Sequence, residues 1–325
     1  MKNALLAIAG LTLAAALAEG VLLLQVRLDP WRLAALLESL ALLLGVFVAF
    51  TYTDFIHQLR KWAHDSLLLA ILMPFTLLIP YFILARTTGT FSYLALAKLS
   101  AYIAVPTLLL LPNRIYYTES ASWRDFAAML SLGLPVGAGW LSGIWIWPED
   151  IYIFRPIFCV CVAAYAFLVV RNLKDAGYKL LFKTGDLTEG SINFIAFFLL
   201  AIPFGLALGF IHPHLRNISV FAFIANFVGI YLTVAIPEEF LFRGILQNLL
   251  VKTFMPPHHG RKGLLVAAII FGLSHFHHAP VPNWRYAIMA TLAGLFYGNA
   301  WRVQKRTSTS AFTHALVDTV WRFWF

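Results

Sequence analysis

Three short runs carry residue types able to do chemistry on one another: Glu238, Glu239 and Arg243 in "AIPEEFLFRG", Phe271 and His275 in "FGLSHFHH", and His314 and Asp318 in "HALVD". Glu239 and Arg243 are four residues apart, so on a helix they share a face and form an ion pair, while Glu238 is rotated about 100° away and stays available for other work. We therefore read Glu239 with Arg243 as structural and Glu238 as the reactive carboxylate. His275 falls one helical turn after Phe271. His277 and His278 follow in "HHAPVPNW", a proline-bounded loop, and read as packing or interface residues. His314 and Asp318 are again four apart, so the carboxylate can hydrogen-bond one ring nitrogen, fix the tautomer and aim the other nitrogen. That arrangement suits either polarising a substrate carbonyl or holding a metal.

Several familiar hydrolytic arrangements are absent. There is no HExxH, so the zinc-protease helix is missing. Ser274 and Ser310 lie outside any GxSxG elbow, and an aspartyl mechanism needs two facing intramembrane aspartates where only Asp318 qualifies. Taken alone, a Glu, Glu, Arg cluster also fits an interfacial salt bridge at a helix end.

The elements that must position these groups are membrane helices. The 325 residues are 61% hydrophobic and 12% charged, whereas soluble domains carry about a quarter charged residues. Apolar runs near the ~20 residues that cross the hydrocarbon core fall at about 4–26, 33–52, 67–85, 93–111, 125–147, 151–170, 193–211 and 217–236, with shorter ones near 264–276, 287–301 and 308–324. The fold class is all-α, a polytopic transmembrane bundle of about 8–11 helices with its active site in the carboxy-terminal bundle; the alternation of a membrane barrel is missing. Pro74, Pro80, Pro106, Pro135, Pro156, Pro203 and Pro237 in or beside the runs predict kinked helices. The first run ends in "ALAEG", which resembles a signal cleavage site, but apolar residues continue to Arg27, so it reads as a retained helix.

The polar interval at about 171–192 is the best internal boundary. It divides an amino-terminal helical region, 1–190, of no legible role from a catalytic region, 191–325. In the first region the ionisable groups at membrane depth, Glu19, Glu38, Lys98 and Arg155, are isolated and read as structural or interfacial. The net charge of +9 sits in loops, Arg171, Lys174, Lys179 and Lys183 among them, and has no nucleic-acid pattern. Alternate loops counted by the positive-inside rule put the amino terminus and the 53–66, 171–192, 252–262 and 302–306 segments in the cytoplasm; the setting is an integral, multi-pass position in a prokaryotic plasma membrane. Cys159 and Cys161, two apart on an apolar helix, point to different faces and read as packing.

The ordered pattern EExxxR, FxxxH and HxxxN/D, present as "EEFLFR", "FGLSH" and "HALVD", resembles the CAAX-protease and bacteriocin-processing (CPBP) family of intramembrane endopeptidases, which includes the Ras-converting CAAX prenyl endopeptidase. The resemblance covers about residues 193–325 and is densest from 235 to 318, where "AGLFYGNAWRVQKRTSTSAFTH" is similar to the family's glycine-containing helix, polar turn and small-residue helix start. It implies that Glu238 with His275 activates a water, and that His314 with its partner at 318 stabilises the oxyanion. It also implies a membrane-embedded or lipidated peptide as substrate, the bilayer as environment, and no cofactor; a divalent metal such as zinc on Glu238, His275, His314 and Asp318 is the alternative. Position 318 departs from the Asn of the prenyl-protein enzyme, and an ionised Asp cannot donate to an oxyanion, so Asp318 is expected to orient His314 or to remain protonated. A non-enzymatic scaffold or transporter that keeps the fold is the reading of another class.

Overall fold

An apolar segment in hydrocarbon must satisfy its own backbone N–H and C=O groups, which a helix does within a single run. The computed structural model describes residues 29–115, 118–147, 152–214, 216–253 and 259–325, so the run at 4–26 and Glu19 lie outside the described residues. The regular elements described are all helices: α1 (Pro30–Ala49), α2 (Thr53–Asp65), α3 (Leu67–Thr88), α4 (Tyr93–Arg114), α5 (Trp123–Gly137), α6 (Phe154–Val170), α7 (Thr184–Ala207), α8 (Val220–Thr253), α9 (His259–Ser274), α10 (Trp284–Gln304) and α11 (Thr307–Trp324). Among them α1, α3, α4, α7 and α8 are long and apolar enough to cross a membrane, and the protein is an integral, multi-pass membrane protein.

Four expectations shift. The 53–66 segment is a helix, α2, and not a loop: its polar residues hide an amphipathic pattern that buries Ala63. The 125–147 run is helical only to Gly137; turns follow in which Gly139 and Gly143 take the left-handed conformation. Helix α7 starts at Thr184, inside the polar interval, because the Asp186 carboxylate accepts the Lys183 N–H at 2.8 Å and closes the first turn. Helix α8 does not end near 236 but runs to Thr253, with π-helical stretches at Tyr231–Ala235 and Phe240–Gln247 on either side of Ile236–Glu239. Of the prolines, Pro74 and Pro80 mark the changes of winding within α3, and Pro237 lies between the two π stretches of α8.

The chain divides into two compact units, the second made of Glu119–Ser122 with Lys174–Phe325. Its main stretch begins at Lys174, whereas the sequence places the boundary at 190/191. In the first unit α1 packs on α3 and α6, and α4 on α3, α5 and α6. Arg171, which reads as a loop cation, is buried there with its Nε on the Asp125 carboxylate and its Nη1 on the Thr118 carbonyl at 2.9 Å. Isolated Lys98 lies over the Trp140 ring, and Arg155 reaches Ser142 Oγ at 3.1 Å.

In the second unit α8, α9, α10 and α11 pack in a closed circuit, each on the next and α11 back on α8, with α7 against α10 and α11. Helices α9 and α10 approach closely at Gly272, where a Cβ would run into Thr291 Oγ1 and the Ala287 carbonyl. Phe197, Phe271, Met289 and Val317 fill the apolar interior.

The start of α11 is clamped. Buried Asp186 of α7 accepts from Arg306 Nε at 2.9 and 3.0 Å, Ser308 Oγ at 3.0 Å and Thr309 Oγ1 at 2.6 Å. The Gly177 carbonyl accepts the Thr307 N–H at 2.8 Å. These bonds set the register of α11 two turns before His314. Asp186→Ala leaves Arg306 and two hydroxyls without their acceptor. We expect a loss of about 3 kcal/mol, read as a lower thermal unfolding midpoint in detergent, with Glu38→Ala, exposed on α1, as the unchanged control.

Candidate active site

Glu239 stands in the middle of a 34-residue helix and is fully buried, as is Arg243 one turn on. Its Oε2 meets Arg243 Nε at 3.0 Å. Its Oε1 accepts from His314 Nδ1 of α11 at 3.0 Å. The pair is thus an interior feature and not an interfacial bridge at a helix end. The i, i+4 partnership was legible from spacing; the bond to His314, 75 residues away, was not.

Arg243 is held mainly by rings. Its Cζ lies 4.5 Å from the Phe271 centroid, 5.7 Å from Tyr297 and 5.9 Å from Phe242, the geometry of cation–π contact. Phe271 also stands edge-on to the His275 ring at 4.7 Å and to His314 at 6.0 Å, so α9 touches both histidines through one side chain.

His314 is 5% exposed in its side chain and faces carboxylates on both sides, with Nε2 3.4 Å from Asp318 Oδ2. A carboxylate only accepts, so Nδ1 is the donor toward Glu239. The Asp318 side chain is 34% exposed and is the accessible member of the pair. Tyr297 of α10 stacks on the His314 ring, centroids 4.6 Å apart and planes at 17°; it had no signal in the sequence beyond an aromatic on an apolar helix.

Glu238 points elsewhere, as its 100° rotation requires. Its Oε2 is sealed from the surface and has no hydrogen-bond partner, yet His314 and Asp318 are within electrostatic reach. His275 lies just past the end of α9. Its Nδ1 is 2.8 Å from the Phe271 carbonyl, so Nδ1 carries the proton and Nε2 is left as the acceptor. His314 and Asp318 are its electrostatic neighbours too. No hydrogen bond joins Glu238 to His275 among the described residues; they approach the His314–Asp318 pair from α8 and from the end of α9.

His277 and His278 do lie in a loop. The His278 ring stacks near His275 at 5.5 Å and near Tyr286 at 4.9 Å, and Tyr286 meets Trp321 at 5.5 Å. Burial and the neighbouring His277 hold His278 below its ordinary pKa, which favours its neutral form.

No three His, Cys, Asp or Glu side chains among the described residues stand together as ligands, and His314 has each ring nitrogen opposite a carboxylate. What the groups can do is hold a water beside an unpartnered carboxylate and present donors to a nearby oxygen.

The ion pair can be tested directly. Arg243→Leu strands the Glu239 carboxylate and should cost about 3–5 kcal/mol, whereas Glu239→Gln with Arg243→Leu should recover most of that loss. Chemical denaturation of the purified variants in detergent measures both.

No curated protein and no solved structure matches the chain. Residues 219–320 match the family model described as type II CAAX prenyl endopeptidase Rce1-like. The matched stretch contains Glu238, Glu239, Arg243, Phe271, His275, Tyr297, His314 and Asp318, and the chain is similar to the Rce1-like family over this segment.

Proposed function

We propose that the protein is an intramembrane endopeptidase that hydrolyses a peptide bond of a membrane-embedded or lipid-anchored substrate. The observation that carries this reading is the meeting of Glu238, His275, His314 and Asp318, from α8, the end of α9 and α11, inside the segment matched to the Rce1-like family.

Glu238 is the base. Its unpartnered oxygen takes a proton from a water while the water oxygen bonds to the scissile carbonyl carbon and the C=O electron pair moves onto oxygen. His275 Nε2, fixed as an acceptor by the bond of Nδ1 to the Phe271 carbonyl, orients the same water. His314, held by Glu239, faces the developing negative charge. When the intermediate collapses, the electron pair returns, the C–N bond breaks, and the proton carried by Glu238 passes to the leaving amine. Asp318 orients His314. Glu239, Arg243 and Phe271 keep these groups in place. The scheme routes no step through a metal, and the reaction takes place in the plasma membrane of a prokaryotic cell with the amino terminus in the cytoplasm.

Purified protein in liposomes, given a library of membrane-tethered reporter peptides, tests the reading. Wild type should cut at least one member, and Glu238→Gln should lower kcat about 10³-fold. Cleavage should survive exhaustive treatment with a divalent-metal chelator. Loss of cleavage on chelation, with return on adding zinc, would overturn the glutamate scheme in favour of a metallopeptidase.

A further inference from the structure

The scheme above leaves Tyr297 without a task, although this side chain is held as firmly as any in the site. It is 2% exposed on α10. One face of its ring stacks on His314, Arg243 Cζ lies 5.7 Å from its centroid, and Phe271 meets it edge-on at 6.1 Å. No hydrogen bond among the described residues uses its hydroxyl, although the side chain is buried beside the histidine. Asp318 and Glu239 are its charged neighbours. Both are already turned to His314.

A tetrahedral intermediate needs donors aimed at its oxyanion, and one such donor is commonly worth about 10²–10³-fold in rate. At position 318 this chain has a carboxylate, which when ionised only accepts. A tyrosine hydroxyl is a neutral donor over the whole physiological range. We propose that the Tyr297 hydroxyl is a catalytic donor of the oxyanion hole, acting beside His314 and supplying the hydrogen bond that Asp318 does not give. The proposal rests on the endopeptidase reading. It adds no proton transfer: the O–H bond stays intact while the C=O electron pair moves onto oxygen and back, and the proton balance remains with Glu238 and the leaving amine.

Tyr297→Phe is the test, because it keeps the stacked ring and removes only the hydroxyl. Wild type, Tyr297→Phe, Glu238→Gln and the double variant Tyr297→Phe/Asp318→Asn are assayed on a membrane-tethered reporter peptide that wild type cuts. Their unfolding midpoints are measured in the same preparations. We expect Tyr297→Phe to lose about 10²-fold in kcat with KM and the unfolding midpoint unchanged. The double variant should regain at least about tenfold, because the Asn amide is a donor. If Tyr297→Phe cuts like wild type while Glu238→Gln is inactive, the endopeptidase reading stands and the hydroxyl has no part in it. A raised KM at unchanged kcat, or a kcat loss that follows a lowered midpoint and is not relieved by Asp318→Asn, also overturns the proposal. If wild type cuts no reporter at all, the endopeptidase reading fails and the proposal fails with it.

Discussion

The Glu239 carboxylate is the constraint on which the second unit turns. An ionised carboxylate taken out of water loses several kcal/mol of solvation, and only close, well-placed partners offset that. One of its oxygens meets Arg243 of the same helix and the other meets His314 of α11. Arg243 in turn lies against Phe271 of α9 and Tyr297 of α10. One buried charge thus couples four helices, and none of them can slide by a turn without exposing a charge to hydrocarbon. The close approach of α9 and α10 at Gly272, and the clamp of Asp186 on the start of α11, follow the same logic. They hold the backbone where the charge demands its partners.

The winding of α8 serves this arrangement. Pro237 has no N–H, so the Thr233 carbonyl lacks its usual partner one α turn on. In a π turn the bond reaches five residues ahead, to residue 238, and the Tyr231–Ala235 stretch is wound in that way. A second π stretch follows at Phe240–Gln247 and carries Arg243. Between them the single α turn Ile236–Glu239 presents two adjacent carboxylates in different directions. The local departure from regular helix falls at the proposed site, as π insertions often do at functional sites.

Membrane spans were readable because hydrocarbon thickness and helical rise together require long apolar runs. The partnerships Glu239–Arg243 and His314–Asp318 were readable because four residues make a turn. What escaped the sequence was of two kinds. Local composition misled where polarity stood in for position: α2 is an amphipathic helix that reads as a loop, and the charged triad after residue 236 reads as the end of a helix that continues to Thr253. Long-range pairing left no trace at all. Arg171 counts as a loop cation until Asp125, 46 residues away, is seen beside it, and neither Tyr297 nor the bond from Glu239 to His314 follows from any spacing within one helix. Helical period reports which side chains share a face; it is silent on which faces meet.

That distinction bears on how two neighbouring glutamates can do different work. A general base needs a free lone pair, and Glu239 has committed one oxygen to a cation and the other to an imidazole N–H. For Glu239 to take a proton, it would have to weaken both contacts and leave Arg243 uncompensated in a buried site. Glu238 carries no such load, since its Oε2 has no partner and no helix depends on it. One step along the helix turns a side chain by about 100°, enough to place the second carboxylate outside the ion-pair plane and still within electrostatic reach of His314 and Asp318. In the proposed scheme the double glutamate therefore separates two demands that one residue could not meet: a fixed charge that holds the helices, and a reactive one that is free to change its protonation.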